Sequence, residues 1–111
     1  MPFSKELMKG AAELIVLQAL CDHGESYGYQ LVQTIADTNN NIFEMQEGTL
    51  YPILYRLESK GLVTSQKRTA PSGKERRYYT ITKSGKKVLA ERLGEFQSFM
   101  RAMKNALSLS V

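Results

Sequence analysis

Pro52 stands within a run, Glu47 to Gly61, in which Leu50, Leu54 and Leu57 recur at helical spacing. That spacing sets the three leucines on one face of a helix. A proline lacks the N–H that a helix interior uses and is accommodated near its start, so the helix must begin between Glu47 and Thr49. Gly61, tolerant of positive φ, ends it. The leucine stripe has to be buried, whereas Thr49, Tyr51, Pro52, Tyr55, Arg56 and Ser59 occupy the other face. This second face mixes hydroxyls, a guanidinium and apolar surface. It either fills in beside the core or is presented to a partner.

The residues beyond Gly61 narrow the choice. Leu62 to Thr69 and Arg76 to Thr82 read as two strands joined by Ala70-Pro71-Ser72-Gly73-Lys74-Glu75, with Leu62, Val63, Tyr79 and Ile81 as the apolar positions. A helix and then a hairpin is the order of a winged helix-turn-helix. In that fold the N-terminal half of the second helix enters the major groove, where Arg pairs with guanine, Gln with adenine, and Thr or Pro touches a thymine methyl. Gln46, Thr49, Tyr51, Pro52 and Arg56 are the residues placed to do this. Glu47 is assigned to the helix itself, its carboxylate favoured by the N-terminal dipole.

The formal net charge is only +4, but it is unevenly spread. Residues 1–55 carry two lysines against seven carboxylates, a net of −5, and residues 56–92 carry eleven cations against three carboxylates, a net of +8. Lys67, Arg68, Lys74, Arg76 and Arg77 crowd the hairpin. Like charges so concentrated repel one another, and a polyanionic partner accounts for them better than solubility does. Nucleic acid fits better than a membrane, because no flanking basic helix exposes an apolar face. Such hairpin contacts supply affinity more than sequence choice.

Tyr27-Gly28-Tyr29-Gln30-Leu31, Glu47-Gly48-Thr49-Leu50-Tyr51-Pro52, Leu57-Glu58, Lys60-Gly61-Leu62-Val63, Arg76-Arg77-Tyr78-Tyr79 and Thr82-Lys83-Ser84-Gly85 occur in that order. Together they resemble the PadR family of bacterial transcriptional repressors, over roughly Leu7 to Leu107. The resemblance implies a winged-helix repressor that acts as a homodimer on a dyad-symmetric operator. It points to the compact subgroup with a single C-terminal dimerisation helix. Relatives of that kind hold planar apolar ligands between their dimer helices, which makes Phe96, Phe99, Met100 and Met103 the candidate effector site; core packing is the competing use of the same side chains.

Before the central helix, a first helix is expected from Ser4, its N-cap, to about Asp22, apolar around most of its circumference and so buried on more than one side. Cys21, the single cysteine, lies in this apolar run and is expected to be a buried hydrophobe in a reducing cytoplasm. His23-Gly24-Glu25-Ser26 turns the chain, and Ser26 is placed to cap a second helix from about Tyr27 to Asp37, with Leu31 and Ile35 inward. Tyr29, at its start, either donates to a DNA phosphate or packs under the wing. Thr38-Asn39-Asn40-Asn41 forms a polar turn before Ile42 and Phe43 return to the core. After the hairpin, Thr82 or Ser84 caps a last helix that ends near Ala106 or Leu107.

On that last helix Leu89, Leu93, Phe96, Met100, Met103 and Leu107 alternate spacings of four and three, a heptad seam that needs a partner helix. The expected architecture is therefore mainly α with a small β-hairpin. Residues 1–82 form the winged helix-turn-helix DNA-binding domain and residues 83–111 the dimerisation helix. The 42% hydrophobic content of 111 residues suits one compact domain with such an appendage. One histidine, one cysteine, no glycine-rich phosphate loop and no carboxylate pair beside a base argue against an enzyme, a metal site or a cofactor. The competing reading is a winged-helix protein-interaction or architectural module that binds DNA without sequence preference.

Overall fold

The computed structural model describes residues 3–40 and 44–110. Ile42 and Phe43, expected to re-enter the core, lie outside the described residues. The chain order is α1 (Lys5–Met8), α2 (Ala11–His23), β1 (Ser26–Tyr27), α3 (Gly28–Asp37), α4 (Glu47–Ser59), β2 (Val63–Thr69), β3 (Glu75–Ile81) and α5 (Lys83–Ala106).

The single N-terminal helix expected from Ser4 to Asp22 is in fact two. Ser4 does cap the first, its Oγ accepting from the Leu7 N–H at 3.1 Å. Gly10 then takes φ +88°, which breaks the helix before Ala11. A Cβ there would meet nothing within 4 Å, so the left-handed backbone, and not crowding, requires the glycine. Leu7 is left on a short exposed turn. α2 buries Leu14, Val16, Leu17, Ala19 and Leu20, but Cys21 is exposed, which corrects the expectation of a buried thiol.

The core is the meeting of α2, α3, α4 and the inner face of the sheet: Leu17, Leu31, Ile35, Met45, Leu50, Leu54, Leu57 and Val63 are all at most 1% exposed. The α4 stripe is thus buried as its spacing predicts, with Ile53 added beside it. α4 begins at Glu47, and Gly61 at φ +75° lies just past its end. Pro52 lies one turn further in than a first-turn proline, so the Gly48 carbonyl has no N–H at position 52 to accept; Gly48 is exposed to water.

The sheet has three strands, in the order β1-β3-β2, all antiparallel. The β2–β3 hairpin agrees with expectation, whereas β1 is an addition to it. Ser26, expected to cap α3, instead pairs with Tyr79 and is 4% exposed, and its hydroxyl donates to the Gly24 carbonyl at 3.0 Å. At the head of α3 the Tyr27 N–H donates to Gln30 Oε1 at 3.1 Å.

α5 starts where Thr82 Oγ1 accepts from the Gly85 N–H at 2.9 Å, while the same hydroxyl donates to the Gly61 carbonyl at 2.8 Å. Gly85 lies so close to the Leu62 carbonyl that a Cβ would collide with it. The first turns of α5 pack on α2 through Leu89, Val88 and Leu93. Leu89 is 4% exposed within the chain's own core, so it leaves the proposed seam. Beyond Leu93 the helix runs clear of the core: Phe96, Phe99, Met100, Met103 and Leu107 are between 38% and 58% exposed. The chain extends 54 Å along its longest axis and 29 and 21 Å across it.

Candidate nucleic-acid interface

The outward face of α4 is built by subtraction. With Leu50, Ile53, Leu54 and Leu57 turned to the core, Thr49, Tyr51, Pro52, Tyr55, Arg56 and Ser59 are left on the outside, and Tyr55 at 75% is the most open large apolar side chain among the described residues. Gln46, the N-cap, is exposed beside them, its carbonyl accepting from Thr49 and Leu50.

Tyr51 differs from its neighbours on that face because its ring leans across to the start of α3. A Cβ on Gly28 would collide with the Tyr51 hydroxyl. A side chain at position 28 would therefore push the Tyr51 ring out of this position. Burial, joined by the Glu47 carboxylate and partly opposed by Arg76, pushes the Tyr51 phenol above its ordinary value, so it stays a neutral hydroxyl.

Between the α3 start, the α4 start and the wing lies a cleft of about 470 Å³, lined by Tyr27, Tyr29, Glu47, Tyr51, Lys74, Glu75, Arg76 and Arg77. Five of the residues expected to contact DNA line it: Tyr29, Tyr51, Lys74, Arg76 and Arg77. Tyr29 is 53% exposed, which excludes packing under the wing, and its hydroxyl accepts from Gln33 Nε2 at 3.0 Å.

The wing arginines are held by strand alternation. Arg68 and Arg76 pair across the hairpin, as do Lys67 and Arg77, and successive residues point to opposite faces. Like charges directly opposite repel. On one face aromatic rings and a carboxylate offset this. Arg76 lies 4.1 Å over the Tyr27 ring and Arg68 lies 4.3 Å over the Tyr78 ring, the two rings meet edge-on at 5.5 Å, and Arg68 also pairs with Glu25. On the other face Arg77 donates to Ser65 Oγ at 3.0 Å, and that hydroxyl donates to Glu58 at 2.6 Å. The guanidiniums are thus pre-oriented. Sequence reasoning does not single out Tyr27 for this role; its only signal there is membership of the Tyr27-Gly28-Tyr29 run.

Arg56 is not brought to the cleft. It lies on the flank of α4 that faces α2, where its Nε meets Glu13 Oε2 at 3.3 Å. Lys60 and Arg92 converge on Glu13 Oε1 at 3.3 and 3.2 Å. Burial tends to raise the Glu13 carboxyl, but hydrogen bonds from Arg92, Arg56 and Lys60 outweigh it and hold the group below its ordinary value. Sequence reasoning misses Glu13 entirely, since its partners stand 43, 47 and 79 residues away.

Phe96, Phe99, Met100 and Met103 line no part of the cleft. Among the described residues no group of three or more His, Cys, Asp or Glu side chains could hold a metal ion, and no helix is long and apolar enough to cross a membrane.

Known proteins are similar to this chain in sequence and in fold. The transcriptional regulator Rv3488 of Mycobacterium tuberculosis is 34% identical over 87 residues, spanning 78% of this chain and 77% of that protein. The crystal structure of a PadR family transcriptional regulator from Eggerthella lenta superimposes with a TM-score of 0.81 at 33% identity, over 95% of this chain and 88% of the other. A transcriptional regulator from Clostridium thermocellum gives a TM-score of 0.82 at 27% identity, over 93% and 96%. Residues 16–91, from within α2 through the wing to the first turns of α5, match the model of the transcriptional regulator PadR-like family. With a winged helix whose core, wing and cleft are those described, and with that match, the chain belongs to the PadR-like family of transcriptional regulators, which are not enzymes.

Proposed function

We propose that the chain is a cytoplasmic, sequence-reading repressor that binds duplex DNA as a homodimer. The observation that carries this reading is the cleft that Lys74 and Arg76 line together with Tyr29 and Tyr51 beside the exposed start of α4, with the Arg77 guanidinium on the opposite face of the wing. In it, Gln46, Thr49 and Pro52 meet base edges in the major groove, while Lys67, Arg68, Lys74, Arg76 and Arg77, with the two tyrosine hydroxyls, hold the flanking phosphates. Residues 1–82 supply this unit. Residues 83–111 carry the assembly function, from Leu93 through Phe96, Met100, Met103 and Leu107, whose exposed stripe is covered by a second copy. Two copies related by a dyad set two α4 helices against a dyad-symmetric operator. A planar apolar ligand among Phe96, Phe99, Met100 and Met103 would alter their spacing and relieve repression.

The test is selection from a random duplex DNA library with the purified chain at physiological salt. Enrichment of a dyad-symmetric motif is the expected result, and Lys74→Ala should then reduce the salt dependence of binding by about one counterion. Tight binding with no enriched motif would replace this reading with an architectural or protein-docking module.

A further inference from the structure

Glu13 is a carboxylate at which three separated parts of the fold meet: it stands on α2, Arg56 and Lys60 stand at the C-terminal half and end of α4, and Arg92 stands on α5. The Glu13 side chain is 17% exposed, whereas Arg56, Lys60 and Arg92 are 54%, 49% and 37% exposed. One anion for three cations leaves an excess of two positive charges. Without the carboxylate these cations repel one another, so the place where α5 holds Arg92 bears on where α4 can hold Arg56 and Lys60. Arg92 also has a telling position along α5. It directly precedes Leu93, which packs on the core, and lies one turn before Phe96, where the exposed stripe begins. A partner covering that stripe would therefore load α5 next to Arg92.

We propose that Glu13 is a positioning residue that ties the seating of α5 to the tilt of α4, so that the assembly helix sets the angle at which the DNA-reading helix is presented. This rests on the regulator reading. Arg56 then acts as a strut and not as a guanine reader, and Arg56 and Lys60 become free for phosphates only when the Glu13 contact is lost.

The experiment measures affinity of the full chain for its selected operator and for random duplex, over a range of salt. Arg92→Gln is expected to lower the operator-to-random ratio about threefold while leaving random affinity and its salt dependence in place. Glu13→Gln should lower the ratio at least as far, yet raise random affinity and steepen its salt dependence by up to about two counterions, as Arg56 and Lys60 are released to phosphates. A brace without a positioning role predicts otherwise: equal losses on both DNAs with a lower Tm, or no change on either, overturns the proposal. A DNA-free readout separates this from failure of the regulator reading. Spin labels on Ser59→Cys and Ser98→Cys, in a Cys21→Ser background and diluted into unlabelled chain, should give one narrow α4–α5 distance that broadens on Glu13→Gln. If the parent protein selects no DNA motif, the regulator reading falls. The distance then decides on Glu13, and an unbroadened distribution overturns it.

Discussion

α4 and the distal half of α5 are both helices with a regular apolar stripe, and they end in opposite situations. Leu50, Leu54 and Leu57 are fully buried by the chain itself, while Phe96, Met100, Met103 and Leu107, at comparable spacing, remain 38% to 58% exposed. Helical periodicity states that a face must be covered. It does not say by what. The supply of facing elements decides: α4 has α2, α3 and the sheet around it, but α5 outruns α2 after Leu93.

The largest expected effect sharpens this contrast. Leu54→Ala should cost about 3 kcal/mol in denaturant unfolding, because it opens a cavity that the chain alone encloses. Met100→Asp should leave the unfolding of the winged-helix core nearly unchanged but weaken self-association about a hundredfold, measured by sedimentation, since a charge cannot be buried unpaired in the proposed seam. Leu93→Asp would confound the two, because Leu93 also packs on the core.

The two glycines of α5 repeat the comparison within one helix. Gly85→Ala should destabilise by about 1 to 3 kcal/mol, as a methyl there drives into the Leu62 carbonyl. Gly94 meets nothing within 4 Å and should respond in the opposite sense, Gly94→Ala raising stability by about 0.5 to 1 kcal/mol through helix propensity alone. Thermal unfolding of the two variants side by side would expose any hidden contact at Gly94 as a loss.

The smallest effect belongs to Glu13. Its folded-state carboxyl lies below the ordinary value of 4.5, so its contribution is present above that pH and is lost as pH falls through the folded value. With cations that are a third to half exposed, it should amount to less than about 1 kcal/mol. Glu13→Gln should accordingly flatten the acid limb of a stability-against-pH curve, and an unchanged limb would show that the cluster stabilises nothing.

Range decides which features are legible in the sequence. The α4 stripe, its start near Glu47, its end at Gly61, the hairpin and the Thr82 cap all rest on residues within a few positions of one another, and all appear in the structure. β1 is invisible because two residues cannot show alternation, and because Ser26 before a helix imitates a cap until its hydroxyl is seen turned back to Gly24. The break at Gly10 hides beneath an apolar pattern that continues across it. Cys21 illustrates the reverse error, since its apolar neighbourhood in sequence is not one in space. At the candidate site, the wing cations are readable from charge density, but the groups that aim them are not. Arg76 over Tyr27 and Arg56 on Glu13 join residues that nothing in their local sequence connects.

The short strand β1 also has a bearing on time. β2 and β3 are joined by a tight turn and can pair as soon as both exist, whereas the pairing of Ser26 with Tyr79 must close a loop of about fifty residues. Loop-closure entropy places such a contact late in folding. On this ground the hairpin is expected to pair before the cleft beside α3 and α4 is completed by the pairing of β1.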